Sequence, residues 1–118
     1  MKKLYYTLFI LSSLIIGTAA DSYDSTVGIV TGEVEKGGLL GTIGIQYVLV
    51  QDRTTLEYAI TNWSGRFEFR HENMEPYSNY DCTLYFSKDG YYEFSRSLII
   101  QGGTGLDLGK LIMIEISE

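Results

Sequence analysis

The chain carries one cysteine, one proline, one histidine and one tryptophan in 118 residues, and each scarcity closes off a class of protein. Cys82 alone cannot form an internal disulfide, so stability has to come from packing. Its phase with Tyr80, Leu84 and Phe86 in "YDCTLYF" reads as a small buried hydrophobe rather than a reactive thiol. A hydrolytic triad needs a nucleophile, a base and an orienting acid, yet His71 is the sole imidazole. It closes "RFEFRH" in phase with Phe67 and Phe69, as a strand-end residue does. His71 and Cys82 on different strands supply no zinc-like spacing, and Asp52, Asp81, Asp89 and Asp107 are scattered singly where calcium would want clustered carboxylates. No catalytic residue, metal or cofactor is predicted. Pro76, in "NMEPYSN", marks a loop because proline cannot donate to a strand ladder.

Long apolar runs are absent except at the start. "MKKLYYTLFILSSLIIGTAA" has a basic start at Lys2 and Lys3, an apolar stretch from Leu4 to Ile16 and small residues at Thr18, Ala19 and Ala20. This predicts a signal peptide over residues 1–20, cleaved to leave residues 21–118 as one exported domain, periplasmic or extracellular and of bacterial style. The run breaks at Gly17 before reaching the roughly 20 apolar residues that a spanning helix needs, so no membrane insertion is expected after cleavage. The residue directly after the cleavage point is Asp21, not a cysteine that could carry a lipid. Basic residues are also few: 9 Lys and Arg stand against 15 Asp and Glu, a formal charge of −6 that grows more negative once Lys2 and Lys3 are removed. Such a surface repels nucleic acid.

What remains is β-sequence. With 45% hydrophobic and 20% charged residues the chain is not disordered, and from Val27 onward its apolar residues alternate with period two, without an amphipathic helix pattern. Seven strands are predicted: Val27–Glu35, Thr42–Gln51, Thr55–Thr61, Arg66–His71, Tyr80–Ser87, Tyr92–Ile100 and Leu106–Ile116. "KGGLLG", "NWSG", "KDG" and "QGGTG" supply turn residues between them, and Gly109 suggests a bulge that switches which side chains face inward. The fold class is all-β, a seven-stranded Greek-key-like β-sandwich. Its expected core contains Val30, Val34, Ile43, Ile45, Tyr47, Leu49, Phe67, Phe69, Leu84, Phe86, Ile112 and Ile114.

The segments "VGIVTGEVEKGG", "GTIGIQYVLV", "YAITNWSGRFEF", "YSNYDCTLYFSKDGYYEFSRSLII" and "GLDLGKLIMIEI" together resemble the carboxypeptidase regulatory-like domain, also called the transthyretin-like or prealbumin-like β-sandwich. The resemblance covers nearly all of residues 21–118 and rests chiefly on the GRFEF, GYY and LDLG motifs. It implies a non-catalytic accessory fold, an appendage of peptidases, surface proteins and outer-membrane receptors. Asn62 stands where such domains commonly carry an aspartate, which argues against a structural calcium at that turn. The related hydroxyisourate hydrolases use more than one histidine and a Tyr-Arg-Gly-Ser tail, whereas this chain ends "MIEISE".

Tyrosine is abundant, at 10 residues. In β-proteins most tyrosines half-bury their rings, so structure accounts for most of them. If successive strands alternate in direction, however, the connections at 36–41, 62–65 and 88–92 share one end. That groups Trp63 with Tyr91 and Tyr92 as a candidate ligand-binding surface, because exposed aromatics mark contact sites. The alternative is that Trp63 folds back over its own hairpin onto Arg66 or Phe67. The function expected is a non-catalytic exported binding module for a glycan, a peptide or a partner protein. The alternative is a structural or assembly subunit of a larger cell-envelope complex.

Overall fold

A computed structural model describes residues 24–117, so the expected leader at 1–20 lies outside the described residues. Within them the chain forms strands β1 (Gly28–Gly38), β2 (Gly41–Gly44), β3 (Leu49–Asp52), β4 (Tyr58–Ile60), β5 (Arg66–His71), β6 (Asn79–Ser87), β7 (Phe94–Gln101) and β8 (Gly105–Ile112). No helix occurs among the described residues. The strands make two sheets. In the first, β1 pairs on one edge with β5 and then β2, both antiparallel, and on the other edge with β8, in parallel. The second runs β4-β3-β6-β7, antiparallel throughout.

Eight strands appear where the sequence predicts seven because the expected strand Thr42–Gln51 changes sheets midway. Tyr47 adopts φ 65, a left-handed conformation that ends any strand ladder. Before it, the Ile45 amide donates to Val34 O of the first sheet (2.9 Å); after it, β3 joins the second. Thr61, buried between the two, ties the crossing together. Its hydroxyl donates to Ile45 O (2.6 Å) and accepts from the Val48 amide (2.9 Å), while its carbonyl accepts from the Tyr47 amide (3.1 Å).

The bend also resets which residues face inward. Val48 and Val50 are buried, whereas Tyr47 and Ile43 are exposed and Leu49 is half-buried, a correction to the expected core. A second correction falls at the last strand. Gly109, at φ 74, accompanies a register slip between Thr31 and Glu33 that inserts one residue into β8. Leu111 and Met113 therefore point into the sandwich, and Ile112 and Ile114 point out. The other expected core residues, Val30, Val34, Ile45, Phe67, Phe69, Leu84 and Phe86, are buried. Phe67 of the first sheet meets Phe86 of the second edge-on at 5.6 Å, and Phe86 stacks on Phe94 at 4.6 Å. Burying each such ring stabilises the fold by roughly 1.5–3 kcal/mol, so this aromatic stack is a main bond between the layers.

"NWSG" is a corner between sheets rather than a hairpin within one, since β4 and β5 belong to different sheets. Asn62 organises it. Its Oδ1 accepts from the Ser64 amide (3.0 Å), the Ser64 hydroxyl (2.9 Å) and the Arg66 amide (3.0 Å). Gly65 completes the corner at φ 85, and a Cβ there would stand 2.4 Å from Val34 O. Gly90 has a similar φ of 89 with nothing within 4 Å of a Cβ. Gly90→Ala is therefore expected to cost only about 1–2 kcal/mol of left-handed strain. Gly65→Ala adds a backbone collision to the same strain and is expected to lower the melting temperature by about twice as much or more. Thermal denaturation of the two variants side by side checks this; equal effects would mean that the corner relaxes freely.

Candidate functional site

Two groups of side chains stand out, at opposite ends of the sandwich. The first surrounds the far end of β1. Trp63 is 79% exposed at the sheet corner and makes no ring or cation–π contact among the described residues. The β1–β2 turn carries Leu39 and Leu40, 99% and 98% exposed, beyond the last ladder pair Gly38–Gly41. Tyr92 is exposed, its amide donating to Ile114 O (2.8 Å). Tyr91 is half-buried, packs on the core and bridges to Glu115. A shallow recess beside it is walled by Tyr47, Lys88 and Asp89, with the Lys88 ammonium 5.7 Å from the centre of the Tyr47 ring.

The three aromatics singled out from sequence thus share an end but not a cluster. The Trp63 corner is held to β1 where Gly65 O accepts from the Val34 amide (2.8 Å), on the β5 side. Tyr91 and Tyr92 are held to residues 114–115, which follow β8 on the opposite side of β1. The exposed leucines of the β1–β2 turn and Tyr47 add apolar surface that sequence reading missed. Leu39 and Leu40 were legible as apolar residues inside a glycine-rich turn, where no core can reach them.

The second group lies at the near end of β1, where Gly28 pairs with His71. Asp52, only 2% exposed, receives the Tyr80 hydroxyl at Oδ2 (2.6 Å), the Cys82 thiol at Oδ2 (3.7 Å) and the Thr54 amide at Oδ1 (2.8 Å). Glu57 Oε1 meets His71 Nδ1 at 2.5 Å, and its Oε2 accepts from the Glu72 amide (3.0 Å). The His71 ring stacks on Tyr80 with centroids 3.9 Å apart. The cluster joins the sheets, because His71 comes from β5 of the first while Asp52, Tyr80 and Cys82 come from β3 and β6 of the second.

Burial pushes the Asp52 carboxyl up, but the hydrogen bonds from Tyr80, Thr54 and Thr55 together outweigh it and hold the group below its ordinary value. The same bond to Asp52, then burial, raises the Tyr80 hydroxyl well above the usual tyrosine range. Burial and then the Asp52 charge push the Cys82 thiol up to about 12, so it stays a neutral thiol. Sequence reading saw that His71, Tyr80 and Cys82 face inward but kept His71 and Cys82 apart; their convergence on Asp52 and Glu57 depends on how the two sheets stack.

No protein-family model matches the chain, and no curated protein matches it. Solved structures do resemble it. One is a chain from the crystal structure of a type II cohesin–X-dockerin complex of Acetivibrio cellulolyticus mutated at its N-terminal interface. It matches at TM-score 0.57 and 14% identity, over 75% of this chain and 58% of that one. A chain from the C-terminal interface mutant of the same complex matches at TM-score 0.54 and 14% identity, over 73% and 56%. At this identity the likeness establishes a shared β-sandwich fold. The match spans little more than half the length of the solved chains.

The buried network makes a clear demand on Tyr80. Tyr80→Phe removes a hydrogen bond to a charged group and is expected to cost about 1.5–3 kcal/mol near neutral pH. Tyr85, whose ring lies 4.0 Å beneath the Arg53 guanidinium and whose hydroxyl has no side-chain hydrogen bond among the described residues, provides the control: Tyr85→Phe should change stability by less than about 0.5 kcal/mol. The folded-state value of Asp52 is depressed, so its contribution exists above the unfolded value of about 3.9 and is lost as pH falls through the folded one. The gap between wild type and Tyr80→Phe, measured by urea unfolding, should accordingly narrow below about pH 4.

Proposed function

We propose that this chain is a non-catalytic, exported recognition module that binds a protein partner through the end of the sandwich bearing Leu39, Leu40, Trp63, Tyr91 and Tyr92. The observation that carries the reading is that Leu39, Leu40 and Trp63 are the three most exposed of the large apolar side chains among the described residues. Large apolar side chains left in water on a rigid fold are what a partner surface covers, and aromatic anchors lose little entropy on doing so. The solved chains of similar fold belong to complexes between cohesin and X-dockerin, which favours a protein partner over a glycan or a peptide. Export follows from the leader-like start of the sequence; among the described residues no helix is long and apolar enough to cross a membrane. The relationship to carboxypeptidase regulatory-like domains belongs to the same proposal. Its support is that Gly65–Phe69 leads into β5 and Leu106–Gly109 lies in β8, the two flanks of β1.

A non-catalytic role agrees with the chemistry within reach. The His71 imidazole is engaged by Glu57 and covered by Tyr80, and the neighbouring Cys82 thiol is buried and neutral. A second reading, a subunit assembled into an envelope complex by strand addition, draws on the outer edges of β7 and β8, which pair with no strand among the described residues.

Trp63→Ala and the double variant Leu39→Ser/Leu40→Ser distinguish the readings. Both are expected to stay within about 0.5 kcal/mol of the wild-type stability, because nothing packs on these side chains. Co-purification from the native envelope should recover one partner at fixed stoichiometry with wild type and lose it with both variants. Retention by both variants, with loss on placing a proline in β7, would move the contact to the sheet edge. If Trp63→Ala lowers the melting temperature by several degrees and no ligand perturbs tryptophan fluorescence, the residue staples its corner and the recognition reading falls.

A further inference from the structure

The polar cluster at the opposite end gathers two carboxylates and an imidazole, a donor set that the recognition reading leaves unused. Asp52 is buried, and its partners among the described residues are neutral groups of Tyr80, Cys82, Thr54 and Thr55. Glu57 reaches the same place, and among the described residues neither carboxylate forms an ion pair with a lysine or arginine. Arg70, which lines a recess together with Glu57, is engaged by Glu68 and Glu72. Buried carboxylates are ordinarily neutralised by a paired cation or by a metal. The only nitrogen base at hand is the His71 imidazole, a group that can also act as a ligand.

We propose that Asp52, Glu57 and His71 form a binding site for a divalent transition-metal ion of the zinc class, which clamps the two sheets together. One donor atom from each of the three residues lies within 4.8 Å of the others, and the Glu57–His71 pair stands at 2.5 Å. Atoms so spaced share a point no more than about 2.5 Å from all three, against about 2.0–2.2 Å for zinc bonded to imidazole nitrogen or carboxylate oxygen. Closing that difference brings the Asp52 donor, which lies within 4.8 Å of the other two, nearer to them by up to about 1.5 Å. Glu57 has to back away from His71 by under about 1 Å, since donors around a tetrahedral ion sit about 3.3 Å apart. Its side chain is partly exposed, and the shift works against the bonds its carboxylate accepts from the Thr55 hydroxyl and the Glu72 amide.

The donor set selects the ion. Calcium and magnesium take six or more oxygens, which three residues including an imidazole do not supply. Zinc accepts one nitrogen and two carboxylate oxygens and completes its shell with water, which enters from the partly exposed Glu57 side. Tyr80 and Cys82 act as positioning residues: by donating to Asp52 Oδ2 they orient a ligating carboxylate, as outer hydrogen bonds do around metal sites. An ion here would tie β5 of one sheet to the β3–β4 connection of the other. In a small exported domain with no internal disulfide, that is the place where a metal clamp would add most.

The test uses the full chain after export, stripped with a chelator and dialysed. Zinc(II) is expected to bind with one-to-one stoichiometry by calorimetry and to raise the melting temperature by several degrees at saturating concentration, as any ligand selective for the folded state does. Cobalt(II) should give the visible absorption of a four-coordinate site. Glu57→Gln keeps the size and hydrogen-bonding reach of the side chain while removing its charge, and should weaken zinc binding by about tenfold or more; His71→Ala should abolish both binding and cobalt colour. Calcium and magnesium should leave the melting temperature unchanged. The proposal is overturned if zinc produces no heat of binding and no thermal shift, if calcium stabilises the chain as well as zinc does, or if Glu57→Gln binds zinc as tightly as wild type. Because the site lies away from Trp63, partner binding through the other end can succeed or fail independently of each of these results.

Discussion

Everything in this fold hangs on β1. A central strand must satisfy backbone donors and acceptors on both edges, and β1 does so with three different strands, handing one edge from β5 to β2 near Val34 while β8 runs alongside the other. The handover leaves a gap in the ladder that the Gly65 carbonyl and the Ile45 amide fill from outside, each bonded to Val34. That requirement puts a glycine at the sheet corner, because a Cβ there would collide with Val34 O, the acceptor of the Ile45 amide. The same requirement lifts Trp63, two residues earlier, clear of the core. Exposure of the tryptophan is thus a by-product of closing the ladder, available for recognition without cost to packing.

The two sheets are joined differently at their two ends. Through the middle and toward the loops the join is aromatic, with Phe67 edge-on to Phe86 and Phe86 stacked on the half-buried Phe94. At the near end the join becomes polar, and Asp52, Glu57, His71, Tyr80 and Cys82 exchange hydrogen bonds across the interface. Polar joins are weaker per unit area but directional, so they specify how the sheets align where apolar packing would tolerate sliding. Thr61 does the same at the sheet crossing, with one hydroxyl that both donates and accepts. A fold without disulfides uses such small directional contacts to fix what cross-links would otherwise hold.

Function, on this account, is distributed between ends with opposite character. One end presents apolar side chains to solvent on short, glycine-closed turns, and the other buries charge. The likeness to chains from a cohesin–X-dockerin complex is a likeness of fold, and the fold itself is indifferent to which loops carry a contact. What separates this chain from a bare scaffold is its own side chains: Leu39 and Leu40 in a turn that could have been polar, and two acids gathered around its sole histidine.

Alternation alone determined most of the strands. Arg66–His71 is predicted and observed with the same bounds, and Tyr80–Ser87 differs from its observed start by a single residue, because period-two patterns with flanking turn residues are local properties. The all-β class and the inward phase of Phe67, Phe69, Leu84 and Phe86 were equally legible. Tertiary structure decided the rest. The bulge at Gly109 was legible from the glycine although the inward phase beyond it was not, and Tyr47 shifts its strand by one residue because the next segment joins the other sheet, so Val48 and Met113 are buried while Tyr47 and Ile112 are not. The Asp52–Glu57–His71 cluster was illegible for the same reason. His71 faces inward by local pattern, but Asp52 follows the shifted phase of β3 and Glu57 lies in a connection, and which residues meet across a sandwich is set by sheet stacking, a relation between segments distant in the chain that no single strand encodes.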